Sequence, residues 1–457
     1  MKLSGCKLQP LNLCISKEKA QMFRPSKYNT YSNISGDFYI FNTLYGCLFQ
    51  VEENIFSMMK GGDIADIANC AKRVFLEYGV ICSDAEEEKK ISEIYFKRNL
   101  LSYVSAQTIL ELTLCPTLGC NFTCSYCFEN SQDDMSVMDN HVFDGIKKFV
   151  SDHDFSELSI TWYGGEPLIY FDKLYNMSKY FMEKYRTSFY LVTNGYLISR
   201  HAKEIIEISP KYIQITLDGV KDTHDARRKL KSGQGTFNVI MQGILELLNC
   251  GYTGAINIRV NIDSSNIDRY GELEEYIKSA FGNFDNVFLN PGVVDTVCNC
   301  EFDSCVTTPK DWIEFSNAHT ECSIAYEKRY NMCTATSINS YVIGPHGEIY
   351  KCWEDVGKES MIVGDVFSSP YIKNLGLASL YMYYGDPINS DECLNCHLLP
   401  VCGGGCANRR YLYFFHNKKT ARFCSEYKGN EDFYIMGILN NIAKKVAEKY
   451  PWGCRLL

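Results

Sequence analysis

Cys120, Cys124 and Cys127 stand in the spacing C-x3-C-x2-C within LTLCPTLGCNFTCSYCFEN, where an apolar run predicts a strand that ends in a loop. Thiolates this close in sequence can wrap one metal centre. They supply three ligands where an iron–sulfur cluster normally takes four, so one iron is left open for a small molecule. A zinc knuckle would instead want C-x2-C pairs and a fourth protein ligand. A second cysteine set fills the last third of the chain: Cys333, then Gly347 and Cys352, then Cys393-x2-Cys396-x5-Cys402-x3-Cys406, and finally Cys424. Cys393 and Cys396 alone would suit a zinc ribbon, but that leaves the other five unexplained.

Such loops need elements to hold them. Strand-like segments at 108–115, 158–163, 189–193, 212–218, 256–262 and 286–290 alternate with amphipathic helical stretches at 139–151, 171–185, 199–208, 236–250 and 267–280. That alternation implies parallel βα units, and near-continuous apolar strands fit a partial (β/α)6 barrel of the TIM type. Chemistry then collects at the carboxyl ends of the strands. There the sequence places Gly164-Gly165-Glu166-Pro167, Thr193-Asn194-Gly195, and Asp218-Gly219 followed by His224, Asp225 and Arg227; Arg259 and Asn261 lie on the fifth strand. Two glycines let a backbone approach a ligand, and a carboxylate beside them can accept bonds from an ammonium group. Ordinary hydrogen bonding at the barrel rim would equally explain the residues from His224 onward. Ahead of the barrel, 37–42 and 47–51 predict a hairpin around a turn at 43–46, with helical stretches at 53–60, 63–78 and 87–99; 431–448 reads as a closing helix.

The cysteine loop, with Tyr126 just before its third cysteine, resembles that of the radical S-adenosylmethionine (SAM) enzymes. One βα unit later, GGEP resembles the family segment that holds the methionyl amino group. TNG and QITLDG are similar to its ribose- and substrate-side segments. The seven-cysteine pattern resembles the SPASM extension, which holds two auxiliary [4Fe–4S] clusters. The resemblance implies three [4Fe–4S] clusters with SAM, and homolysis of SAM to a 5′-deoxyadenosyl radical. It assigns Cys120, Cys124 and Cys127 to the catalytic cluster, and Tyr126, Gly164, Gly165, Glu166, Thr193, Asn194, Asp218, Arg227 and Asn261 to the cofactor. In the family topology Cys393, Cys396, Cys402 and Cys424 hold the outer auxiliary cluster. Cys333, Cys352 and Cys406 hold the inner one. Its fourth position falls to Cys322 or to a substrate thiolate, with Cys298, Cys300 and Cys305 also available. Sulfatase-maturating relatives place an acidic base directly after the equivalent of Cys352. Here Trp353 stands in that place, with Glu354 and Asp355 following as candidate bases.

The whole chain accommodates this reading. Its 457 residues exceed one core, and the divisions expected are 1–102, a small winged-helix-like peptide-recognition domain; 103–310, the radical SAM barrel; 311–430, the cysteine-rich auxiliary-cluster domain; and 431–457, a terminal helix. A net charge of −9 disfavours a nucleic-acid surface; the basic run Arg227-Arg228-Lys229-Leu230-Lys231 is either a solvated face or an anion site. Twenty-two cysteines in a large chain without a secretory pattern suggest a reducing cytoplasm, and no apolar run suggests a membrane span. Leu3-Ser4-Gly5-Cys6 mimics a lipoprotein box but lacks a preceding apolar stretch. The expected activity is maturation of a ribosomally made precursor peptide, with its leader held by the N-terminal domain and an external flavodoxin- or ferredoxin-type reductant supplying electrons. Thioether crosslinks between cysteine sulfur and carbon are the expected product. The alternatives are an anaerobic sulfatase-maturating (formylglycine-forming) activity, peptide epimerisation or carbon–carbon crosslinking, and a non-catalytic multi-cluster electron carrier. An electron carrier has no use for an amino-acid-shaped pocket such as GGEP would build.

Overall fold

The computed structural model describes residues 22–127, 135–294, 308–319, 326–329, 333–419, 421 and 423–449. Its N-terminal part pairs two short strands, β1 (Arg24–Pro25) with β5 (Ile81–Cys82), and carries an antiparallel meander of β2 (Asn29–Ile34), β3 (Asp37–Asn42) and β4 (Cys47–Val51). The hairpin β3–β4 lies where the alternation of side chains puts it; β2, too polar to read as a strand, pairs along its whole length with β3. Helices α1 (Glu53–Gly61) and α2 (Asn69–Glu77) bury Phe56, Met59 and Phe75 against Ile40 and Phe49 of this sheet. The 25-residue α3 (Asp84–Thr108) starts in a capping box of Ser83 and Glu86 and runs directly into the barrel.

Six parallel strands form that barrel wall in sequential order: β6 (Ile109–Leu114), β7 (Glu157–Trp162), β8 (Thr187–Thr193), β9 (Tyr212–Thr216), β10 (Ala255–Ile262) and β11 (Val287–Val293). The crossovers are α4 (Asn140–Ser151), α5 (Phe171–Lys184), α6 (Ile198–Ile208), α7 (Lys221–Arg227) with α8 (Phe237–Asn249), and α9 (Tyr270–Phe281). Alternation sets which face is dry: Leu110, Leu112 and Leu114 of β6 and Leu158, Ile160 and Trp162 of β7 are all buried in one apolar cluster with Ile146 and Phe149 of α4. The sheet does not stop at six strands. β12 (Ser340–Ile343) lies parallel to β6, and the short antiparallel strands β13 (Glu348–Tyr350) and β14 (Gly364–Asp365) follow it. The cysteine-rich segment therefore extends the barrel sheet itself, which strand propensity in so short a run did not signal.

The remaining helices are α10 (Pro309–Ala318), α11 (Leu375–Gly385), α12 (Asp391–Leu394), α13 (Leu399–Cys402), α14 (Ala407–Phe414) and α15 (Glu431–Lys449). Phe41 of β3, Ile313 of α10, Val401 of α13, and Tyr434, Ile435 and Ile438 of α15 share one buried cluster. The N-terminal meander is thus bound to the C-terminal third of the chain. The Arg98–Asp386 ion pair, 3.1 Å, ties α3 to the same region. Among the described residues no helix is long and apolar enough to cross a membrane.

Candidate active site

The cysteine loop leaves β6 at Cys115 and is held from two sides. On one side, Thr123 N donates to Lys229 O and Lys231 N to Asn121 O, so the basic run lies strand-like against the loop. On the other, Gly165 N donates to Thr117 O and Glu166 N to Gly119 O. A Cβ on Gly165 would collide with the carbonyl oxygens of Leu118 and Gly119. The close approach these glycines permit is thus to the backbone of the cysteine loop. It brings the end of β7 to Cys120.

Glu166 is fully buried behind that contact. Its Oε1 accepts from Leu168 N (3.0 Å) and Thr193 Oγ1 (2.7 Å), and its Oε2 from Asn194 N (2.7 Å). Burial pushes its pKa up, and these three donors oppose the shift. An ionised carboxylate offers about four lone-pair positions, so about one remains for an incoming donor. Asn194 Nδ2 reaches Asn121 Oδ1 (2.7 Å) and Cys120 Sγ (3.7 Å), completing a bridge from β8 to the loop.

A second network gathers at the ends of β9 and β10. Tyr126 donates from its hydroxyl to Asp218 Oδ2 (2.5 Å) and accepts from Arg228 Nη1 (2.5 Å) and Asn261 Nδ2 (3.1 Å). Burial, first of all, holds the phenol well above its ordinary pKa. Arg227 faces Asp263 with Nη1 at 2.9 and 2.8 Å from the two carboxylate oxygens, reaches Asp218 at 3.3 Å through Nε, and lies over the Tyr126 ring at 5.0 Å. Its charge is answered by two acids.

Arg228, which the sequence left between a solvated face and an anion site as part of the basic run, is placed differently. It is 8% exposed, it faces the Cys120 and Cys124 thiols, and its Nε has no hydrogen-bond partner. Asp218 and Glu166 act on it electrostatically, but among the described residues no carboxylate pairs with it directly, so its unmet donor is suited to an anion. The signal in the sequence was the basic run itself, which left an anion site open; its pairing with the cysteine loop is visible only in the structure. His224 and Asp225 serve the frame. Asp218 N donates to His224 Nδ1 (3.3 Å), so the ring proton sits on Nε2 and faces Thr236 Oγ1 (3.0 Å), which donates to Arg228 O (2.6 Å). Burial lowers the His224 pKa to about 4 and keeps it neutral. Asp225 accepts from Thr236 N and Phe237 N, capping α8.

In the cysteine-rich region, Cys393, Cys396, Cys402 and Cys424 line one cavity. Arg410, 1% exposed, donates from Nη1 to Cys393 Sγ at 3.0 Å. A partly open cavity with four thiols and a buried cation at its wall fits an anionic iron–sulfur centre. Cys333, Cys352 and Cys406 belong to a separate neighbourhood, in which Glu354 and Cys333 act electrostatically on Cys406 and Asp355 and Glu354 on Cys352. Cys322, Cys298, Cys300 and Cys305 lie outside the described residues. Asp355 is buried and bound by Asn408 Nδ2 (3.1 and 3.2 Å) and Lys358 Nζ (3.3 Å). Glu354 is half-buried, its pKa raised by burial and then by Asp355. Trp353 is 47% exposed and stacks on Tyr163, the residue before the GGEP segment, at 5.3 Å and 16°.

Residues 114–277 match the sequence model of the radical SAM superfamily. This chain carries a radical SAM domain. Over 88% of its length it is 24% identical to the radical SAM cyclopropyl synthase TigE of Paramaledivibacter caminithermalis, covering 93% of that protein. It is also 24% identical to a cysteine-type anaerobic sulfatase-maturating enzyme of Clostridium novyi, over 72% of this chain and 96% of the relative. The solved structure of tagged anSMEcpe with bound AdoMet shares the fold, with a TM-score of 0.58 at 19% identity, over 75% of this chain and 96% of the other. The chain is thus similar to a radical SAM cyclopropyl synthase and to sulfatase-maturating enzymes, and the radical SAM family implies a [4Fe–4S] cluster and SAM.

Proposed function

We propose that this radical SAM enzyme matures a ribosomally made precursor peptide, joining a cysteine sulfur of that peptide to a carbon in a thioether. The observation that carries this reading is the division of the C-terminal cysteines: four line one cavity, whereas the second neighbourhood holds three among the described residues, Cys333, Cys352 and Cys406. The fourth position there falls either to one of Cys298, Cys300, Cys305 and Cys322, which lie outside the described residues, or to a substrate thiolate, and we propose the second. In this reading the domains are those expected from the sequence, and the leader adds as a strand to the outer edge of β4, which among the described residues pairs with β3 alone. An external one-electron reductant serves the clusters.

Cys120, Cys124 and Cys127 would hold the catalytic cluster, and Cys393, Cys396, Cys402 and Cys424 an auxiliary one. When bound, these groups with SAM supply one-electron reductive cleavage and the hydrogen-abstracting radical. The chain's own residues position and enclose the cofactor. Glu166 offers its remaining lone pair to the amino group of SAM, Arg228 its unmet Nε to the carboxylate, and Tyr126, fixed by Asp218, Arg228 and Asn261, closes the wall beside them. Thr193 and Asn194 keep Glu166 in place. Near the second cysteine neighbourhood, Glu354 is the carboxylate suited to take the thiol proton, because Asp355 is already bound by Asn408 and Lys358. A raised pKa poises Glu354 for that task.

A second reading, carbon–carbon bond formation within the peptide, is favoured by the similarity to a cyclopropyl synthase over most of the chain. Sulfatase maturation is less well supported, since the position directly after Cys352 is an aromatic stacked on Tyr163. The test is mass spectrometry of a cysteine-containing peptide encoded beside the gene, incubated with the anaerobically reconstituted enzyme. Loss of two hydrogens that vanishes when the cysteine is replaced by Ser, and falls roughly 100-fold or more in Glu354→Gln while SAM cleavage continues, is expected. Modification of the cysteine-free peptide would replace the thioether reading by the second one.

A further inference from the structure

Arg410 sits on α14, four residues after Cys406, and its guanidinium is enclosed by protein. Nε donates to Tyr384 O (3.0 Å), Nη2 to Asp386 O (3.4 Å) and Nη1 to Cys393 Sγ (3.0 Å). The rings of Phe414 and Phe423 flank it at 5.3 and 5.1 Å. Each of its protein oxygen acceptors is a neutral carbonyl. Asp386, whose carbonyl it meets, turns its carboxylate to Arg98 instead, at 3.1 Å. A fully buried cation without a carboxylate is expensive to maintain unless another anion answers it. Among the described residues the candidate it touches is Cys393 sulfur, at the wall of the four-cysteine cavity. Lys428 approaches the same cavity from its exposed side, with Nζ 3.7 Å from Cys424 Sγ, and Glu392 is the acid among the lining residues.

We infer that Arg410 is the built-in counter-cation of an iron–sulfur cluster held by Cys393, Cys396, Cys402 and Cys424, and that it sets this cluster's reduction potential. The inference rests on the reading of that cavity as a cluster site. A cation donating an N–H to a ligand sulfur stabilises the more negatively charged, reduced cluster more than the oxidised one, and so raises the potential. The second cysteine neighbourhood has its own buried cation in Lys351, which donates to Ser337 O and Ser340 O rather than to a sulfur. The two auxiliary sites would therefore differ in potential, with Arg410 holding the outer one up.

The experiment is an EPR-monitored dithionite titration of the full chain carrying Cys120→Ala, Cys124→Ala and Cys127→Ala, so that only auxiliary signals remain. Iron analysis of the same chain with Cys393→Ala added tests the cluster reading by itself, and an iron content that does not fall there would end that reading and the inference with it. Given the cluster, Arg410→Met is expected to keep its iron and to make reduction of one auxiliary component at least tenfold less favourable, a midpoint lower by about 59 mV. Arg410→Lys should shift it less, and Lys428→Met less than Arg410→Met. Normal loading with both midpoints unmoved in Arg410→Met overturns the proposal. Should Arg410→Met fail to load, Arg410→Lys decides: retained iron with a lowered midpoint upholds the counter-cation, and equal loss in both variants makes Arg410 a residue of the fold and overturns it.

Discussion

The adjacent arginines at the site should fail in opposite ways. In Arg228→Met the lost guanidinium has an unmet Nε and one bond, to Tyr126, which keeps Asp218 and Asn261 as partners. The stability cost is that of one hydrogen bond, about 1 kcal/mol. If Nε serves the SAM carboxylate, the variant also loses a charge-assisted bond of about 1.5–3 kcal/mol, which weakens binding roughly 10- to 150-fold. Arg227→Met strips a cation from Asp263 and Asp218, both nearly fully buried, and breaking such a pair costs about 3–5 kcal/mol of stability. Calorimetric titration of SAM into each reconstituted variant, with denaturant melts of the same samples, separates the two. Wild-type SAM affinity in Arg228→Met with normal iron content would refute the assignment of the carboxylate to Arg228. Normal stability in Arg227→Met would refute the reading of its ion pairs.

Two more perturbations probe the frame around the site. Gly165→Ala places a methyl group against the carbonyls of Leu118 and Gly119, and overpacking of this kind costs about 1–3 kcal/mol; the variant should reconstitute with less iron at the Cys120 loop, and full loading would contradict that contact. His224 has its folded pKa depressed to about 4, so it stabilises the fold fully above its unfolded value near 6.5 and loses that contribution as pH falls from there to about 4, some 3 kcal/mol in all. His224→Gln should therefore be most destabilised relative to wild type near pH 7, with the gap narrowing toward pH 4; a constant gap in denaturant midpoints would exclude a neutral buried imidazole.

Much of this arrangement was legible in the chain because its signals are local. Cysteine spacing, strand-ending glycines and apolar alternation each declare themselves within a few residues, so the six barrel strands and five of their crossover helices fall close to where periodicity puts them. What the sequence withheld depends on contacts between distant segments. β2 is polar, and its strand character comes from pairing with β3. β12 is four residues long and gains its place from β6, more than 200 residues earlier. The basic run around Arg228 left a solvated face and an anion site open, Arg410 carries no motif at all, and burial beside cysteine sulfur is what marks both. Gly164 and Gly165 read as a ligand-facing turn, whereas the partner that excludes a side chain at Gly165 is the cysteine loop itself.

The claim on which the rest depends is that Cys120, Cys124 and Cys127 hold the cluster that cleaves SAM. Anaerobic reconstitution of the wild-type chain should give about twelve irons, and of the Cys120→Ala, Cys124→Ala, Cys127→Ala chain about eight. Chromatography of the reaction with SAM and dithionite should find 5′-deoxyadenosine from the wild type and none from the triple variant. Continued formation of 5′-deoxyadenosine by the triple variant would contradict the claim directly.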